Sequence, residues 1–290
     1  MKKISILLAA AALVISACTP NDDSLVFPPV IVEELDNTIT EVDADIDATT
    51  MTPQQLKEAL AGLLVARSLS VVLMLAPDAS TEMFEAIRSA LSESNLPDGS
   101  IDLTIAGASY VPELFLGDKY VETVITKGDS NYAVDKLHSI HLLDVKYIGA
   151  KAFLGCANLT EFTAPKARRV QEYAFMATAL KSVDLPKASV IGFAAFANCD
   201  YLTSAKLPLV TSLGGQAFLR ESVSSSYSLT LELTSKDVIV VGQNIFNTAE
   251  ESYQDKVKMV LNNDSKVDFV SYGWEHYNFT SESVEYQSAN

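Results

Sequence analysis

Cysteine, histidine and positive charge are all scarce in this chain, and each scarcity removes a class of function. Only 3 cysteines and 3 histidines occur in 290 residues. A disulfide-dense scaffold cannot be built from so few, and no Cys pair at metal-ligand spacing stands near the histidines. His138 and His141 could give at most two ligands, and Glu275-His276 has no second histidine at helical spacing. The 21 basic residues are outnumbered by 37 acids, for a net charge of −16. Nucleic acid and anionic lipid headgroups are therefore poor partners. Glycine-rich phosphate loops are missing, because Gly214-Gly215 belongs to a repeated turn described below. No apolar run long enough to span a bilayer follows the first 17 residues. Tryptophan is represented only by Trp274.

What is present begins with a leader pattern. Lys2 and Lys3 precede the apolar run "ISILLAAAALVIS", and the run ends in Ile15-Ser16-Ala17-Cys18. This resembles a bacterial lipobox, which implies that residues 1–17 form a lipoprotein signal peptide. Cys18 would then be the acylated N-terminus of the mature chain, with lipid as its only membrane attachment. Loss of Lys2 and Lys3 would take the charge to −18. Residues 19–50 hold nine acids and no Lys or Arg, so residues 18–50 are expected to be an extended acidic tether. Asp22-Asp23, close to the cysteine, resembles the export signal of surface lipoproteins in Bacteroidota-type bacteria. An outer-membrane, surface-exposed location is the expectation.

From about residue 129 the chain repeats itself. Ala-Phe pairs place Phe153, Phe175, Phe196 and Phe218 at spacings of 22, 21 and 22. Ile148, Val170, Ile191 and Leu213 form a second column, and Leu137, Leu159, Leu180 and Leu202 a third. A fourth is Pro165, Pro186 and Pro208. Several columns holding one period indicate stacked coils. Within each unit, "LHSIHLL", "LTEFTAP", "LKSVDLP" and "LTSAKLP" read as one short strand with its first, fourth and sixth residues inward. Proline then ends pairing, having no N–H to give. The phenylalanine is expected to plug the same interior site in each coil.

This pattern resembles the BspA-type leucine-rich repeat, whose unit reads roughly L-T-S-I-x-I-P-x-x-V-x-x-I-G-x-x-A-F-x-x-C. Leu143 stands where the unit has proline, and Thr178 and Glu221 stand where it has cysteine. The resemblance implies an α/β leucine-rich repeat solenoid, a right-handed coil with a parallel sheet. It also implies a surface or secreted protein that adheres to or recognises others. Cys156 and Cys199 share one column two units apart, roughly 10 Å in a stack with the usual strand spacing. A disulfide reaches only about 7 Å between Cα atoms, so two free, buried thiols are expected.

The ends depart from the repeat. "TPQQLKEALAGLL" (52–64) and "STEMFEAIRSAL" (80–91) read as helices, each followed by a strand-like run, "LSVVLML" (69–75) and "SIDLTIAG" (100–107). Residues 51–128 thus look like longer, helix-bearing repeats of ribonuclease-inhibitor type. Residues 129–221 are the regular coils, and 222–290 are irregular repeats with a C-terminal cap, Phe246 being a drifted copy of the core phenylalanine.

Chemistry is thinly represented. His141 shares a column with Thr163, Asp184 and Lys206, but no nucleophile, oriented base and oxyanion site occur together. The sequence points to a non-enzymatic protein without cofactor, catalytic residues or metal site. Its candidate partner-binding face is the outward row Ser139, His141, Glu161, Thr163, Ser182, Asp184, Ser204 and Lys206. A monomer that recognises a protein, of host or matrix origin among others, fits best. The second reading is a glycan-binding accessory lipoprotein of a polysaccharide-uptake system, with Tyr272, Trp274 and Tyr277 as contacts. A hydrolase using His141 is the third.

Overall fold

Parallel pairing relates every strand to its neighbours, as a chain that repeats a short strand once per coil must arrange it. The computed structural model describes residues 2–8, 39–64, 67–118, 134–220, 228–246, 257–262, 264, 266–269 and 284–287. In chain order the N-terminal elements are β1 (Lys2–Leu8), β2 (Ile39–Asp47), α1 (Pro53–Ala61), β3 (Leu69–Met74), α2 (Thr81–Glu93), β4 (Ile101–Ala106) and β5 (Tyr110–Val111). The coils follow in pairs: β6 (Leu137–Leu142) with β7 (Tyr147–Ile148), β8 (Glu161–Thr163) with β9 (Arg169–Val170), and β10 (Ser182–Asp184) with β11 (Val190–Ile191). Next are β12 (Ser204–Lys206) with β13 (Ser212–Leu213), and β14 (Leu229–Leu233) with β15 (Val238–Val241). The last are β16 (Val257–Asn262) with β17 (Lys266–Phe269), and β18 (Val284–Gln287).

The first strand of each pair enters one of two sheets, ordered β1-β2-β3-β4-β6-β8 and β10-β12-β14-β16-β18. An amide links these across their junction, Lys181 N–H donating to Thr160 O (3.4 Å), and equivalent bonds lie on either side of it, Thr203 N–H to Lys181 O (2.9 Å) and Thr160 N–H to His138 O (2.9 Å). The second strand of each pair enters a third sheet, β5-β7-β9-β11-β13-β15-β17. An α/β repeat fold of parallel coils results.

That third sheet is not anticipated by the sequence reading, which treats the return limb as a turn with a plug. Two residues are too few to show alternation. The strands form because consecutive coils bring the same two residues into register, Ile148 opposite Val170 and Val190 opposite Ser212. The turn that follows holds the residue before each Ala-Phe pair in the left-handed region: φ is 56° at Lys151, 57° at Tyr173, 50° at Ala194 and 58° at Gln216. This conformation costs a non-glycine residue about 1–2 kcal/mol. Inter-coil bonds offset it, with Phe153 N–H donating to Ala174 O (2.8 Å), Phe175 N–H to Ala195 O (2.8 Å) and Phe196 N–H to Ala217 O (2.9 Å). The glycine column is a matter of space. A Cβ on Gly192 would lie 2.5 Å from the Gln171 carbonyl carbon.

Between the sheets the phenylalanines stack. Ring centroids are 5.0 Å apart for Phe153 and Phe175, 5.4 Å for Phe175 and Phe196, and 5.7 Å for Phe196 and Phe218, within 15° of parallel. Phe246 extends the column at 6.4 Å from Phe218. At the other end Phe115 lies 6.0 Å from Phe153 and 5.0 Å from Phe84 on α2, both edge to face. One buried apolar cluster therefore runs from Val42 to Leu261.

The helices form where the sequence places them. Thr52 caps α1: its side chain accepts from Gln55 N–H, and the Gln55 side chain returns to the Thr52 N–H. Leu56 and Leu60 of α1, with Phe84, Ile87 and Leu91 of α2, are buried. Arg88 of α2 donates to Leu114 O (2.8 Å) and Gly117 O (2.7 Å), tying the helix to the next coil.

The acidic tether ends sooner than residue 50. Ile39–Asp47 is a strand paired in parallel with Leu69–Met74. Val42, Ala44 and Ile46 are buried, and Glu41, Asp43, Asp45 and Asp47 alternate with them. Repulsion along the acids is tolerated because a strand sends all of them to the solvent face. On the far side, Lys2–Leu8 pairs with the same strand. Among the described residues after 221, β14 through β17 continue the sheets in register, more regularly than the sequence spacing suggests. Cys18, Glu221, Tyr272, Trp274, His276 and Tyr277 lie outside the described residues.

Candidate recognition surface

Outward side chains of the sheets built from β2 to β18 align in two rows. One contains Asp102, Ser139 and Glu161, and beyond the junction Ser182, Ser204 and Thr230. The other contains Thr104, His141 and Thr163, then Asp184, Lys206 and Glu232. All eight residues expected to line this face thus fall into the rows, but not all are exposed.

Ser139 departs from the expectation. It is 2% exposed, its hydroxyl donating to Asp102 Oδ1 at 2.6 Å. The cause is a register shift between Ile101 and Asp102, which pairs Ile101 with Leu137 but Asp102 with Ser139. His138 is the extra residue, and its Nδ1 approaches the same Asp102 oxygen at 2.9 Å. Serine, histidine and aspartate therefore meet here, but in the wrong order for nucleophilic catalysis. The serine donates to the carboxylate and not to the imidazole that would have to take its proton. His141 Nδ1 pairs with Thr163 Oγ1 at 2.9 Å, a pair at the solvent surface.

Charges of both signs occupy the rest of the face. Lys206 Nζ lies 3.6 Å from Glu232 Oε1, and Lys258 pairs with Glu285 farther along. Glu161, Thr163, Asp184 and Lys206 are exposed. Asp102, Thr104, Thr230 and Glu232 extend the rows and were missed in the sequence. Alternate positions of "SIDLTIAG" and "LTLELT" carry the signal that would have found them.

Both described cysteines are free and buried. Cys156 Sγ donates to Leu116 O (3.4 Å) and Cys199 Sγ to Phe175 O (3.1 Å). Burial pushes their thiols up to about 12 and about 11. Thiols so rarely ionised are plugs, not nucleophiles. Among the described residues no group of three or more His, Cys, Asp or Glu could hold a metal ion. No described helix is long and apolar enough to cross a membrane.

A chain wound into parallel coils, with a continuous stacked core and a polar outer face, defines the class of repeat scaffolds. Residues 127–251 match the family model of the BspA type leucine rich repeat region in 6 copies, so this span is a leucine-rich repeat region of that type. Regions of this family are generally non-enzymatic scaffolds of protein interaction or adhesion. No curated protein and no solved structure was found to match the chain.

Proposed function

We propose that this protein is a lipid-anchored, cell-surface solenoid that recognises or adheres to another protein through the outer face of its parallel sheets. The observation that carries the reading is the alignment of His141 with Thr163 and of Asp184 with Lys206, register pairs on either side of the junction between the two sheets. Flat, polar, mixed-charge faces on rigid repeats suit recognition, because little entropy is lost when they bind. Acylation at Cys18 would hold the body to the outer membrane, with part of the acidic segment between lipid and fold. The right-handed winding and the ribonuclease-inhibitor-like character of the helical turns belong to the same reading.

The test uses the mature chain from residue 19 as bait on extracts of the surfaces it would meet. A partner retained by the wild type and lost on Glu161→Lys with Asp184→Lys supports the face. Retention unchanged by that pair removes it. Whole-cell protease treatment should cleave the native protein, and Cys18→Ala should move it out of the membrane fraction.

A further inference from the structure

The corner where each coil turns from its first strand to its second concentrates positive charge in an otherwise acidic molecule. Four successive corners are Leu143–Tyr147, Pro165–Arg169, Pro186–Val190 and Pro208–Ser212. They carry five cations, Lys146, Lys166, Arg168, Arg169 and Lys187, all exposed, against the single carboxylate Asp144. Backbone bonds put these corners directly over one another: Arg168 N–H donates to Lys146 O (2.8 Å), Ser189 N–H to Arg168 O (2.9 Å) and Thr211 N–H to Ser189 O (2.9 Å). Lys166 binds Asp144 at 2.6 Å, so one cation of the five is already matched.

Beside the cations runs an apolar rail. Leu143 and Leu209 are 41% and 53% exposed, and Pro165 and Pro186, in the column of Leu143, are exposed as well. Tyr147, 49% exposed, is in register with Arg169. Large apolar side chains left in water between unmatched cations mark a surface made for contact.

We propose that this corner is a docking ridge for an acidic polypeptide segment that also carries apolar side chains. The charge calls for carboxylates, which the paired arginines can grip bidentately. The leucine and proline rail calls for side chains that a polysaccharide does not have. The ridge is a different surface from the sheet face, and it rests on the protein-recognition reading only in sharing the class of partner.

The probe is a fluorescent twelve-residue peptide repeating Glu-Glu-Leu, titrated by anisotropy against the mature chain. Saturable binding that weakens with added salt is expected, with loss of about tenfold or more on Arg168→Glu with Arg169→Glu. Leu143→Ser with Leu209→Ser should weaken it without altering its salt dependence. Thermal melting confirms that these surface variants fold. Three results overturn the ridge: no saturable binding, an equal loss on the distant Lys57→Glu, or binding of heparin in place of the peptide. If the peptide does not bind while the partner captured through Glu161 and Asp184 is still retained, the ridge fails and the sheet face stands.

Discussion

Phe175 lies between two parallel rings and is also 4.4 Å from Phe162, so its removal leaves a void that neighbours on three sides border. Phe175→Ala should cost about 3–5 kcal/mol, read as a lower denaturation midpoint with the slope unchanged. Loss below about 1 kcal/mol would mean that the column contributes little. The thiols allow a second check. Iodoacetamide at pH 8 should leave Cys156 and Cys199 unmodified in the folded protein and alkylate both after denaturation, because their raised pKa values keep them protonated. Asp135 is the residue where the fold is least content. Its Oδ1 is buried without a hydrogen-bond partner, and burial, reinforced by Asp98 and Asp118, raises its pKa above 3.8. The stability linked to this group is full below the ordinary carboxylate pKa and is lost as pH rises through the raised value. Asp135→Asn should therefore raise the melting temperature at pH 7 and change it little below pH 3.8. A variant that melts lower at pH 7 contradicts this.

Helices and regular strands were legible because their periods are long enough to count. Thr52-Pro53 announces α1, Leu137 opens β6, and Leu159, Leu180 and Leu202 stand just before β8, β10 and β12. Two elements were hidden for opposite reasons. β9, β11 and β13 are two residues each, and pairing across coils, not local pattern, makes them strands. β2 alternates from Glu41 to Asp47, but its outward residues there are all acids, and net charge outweighed the inward Val42, Ala44 and Ile46. Of the candidate face, the columns were readable because 22-residue spacing fixes them. The burial of Ser139 was not, since it depends on a register slip in the neighbouring strand. The acids of β2 suggest a role for that strand. If residues 1–17 are cleaved as proposed, β2 loses its pairing with β1, and like charges along an edge discourage pairing with a second chain. Asp43→Val with Asp45→Val in the chain from residue 19 should produce concentration-dependent dimers in light scattering. A variant that stays monomeric would show that the acids do not guard the edge.

At the scale of the whole molecule, order comes from repetition along one axis. The core cluster is continuous, yet each phenylalanine ring contacts the rings of the coils immediately before and after it. Stability should then be close to a sum over coils and their interfaces. The two candidate surfaces inherit this plan: the sheet face and the basic corner are built from equivalent positions of successive coils, held in line by backbone bonds between them.

That plan decides how the protein answers a pull. When its two ends are drawn apart, load enters through the terminal coils, and a stack bonded only to nearest neighbours has no shortcut by which the middle can share it. Such a molecule peels like a roll of tape. Each 22-residue turn that lets go frees about 7 nm of slack at roughly 3.3 Å per residue. If the proposed lipid anchor at Cys18 holds it to a cell, the stack would be a shock absorber, paying out line before that anchor is torn from the bilayer.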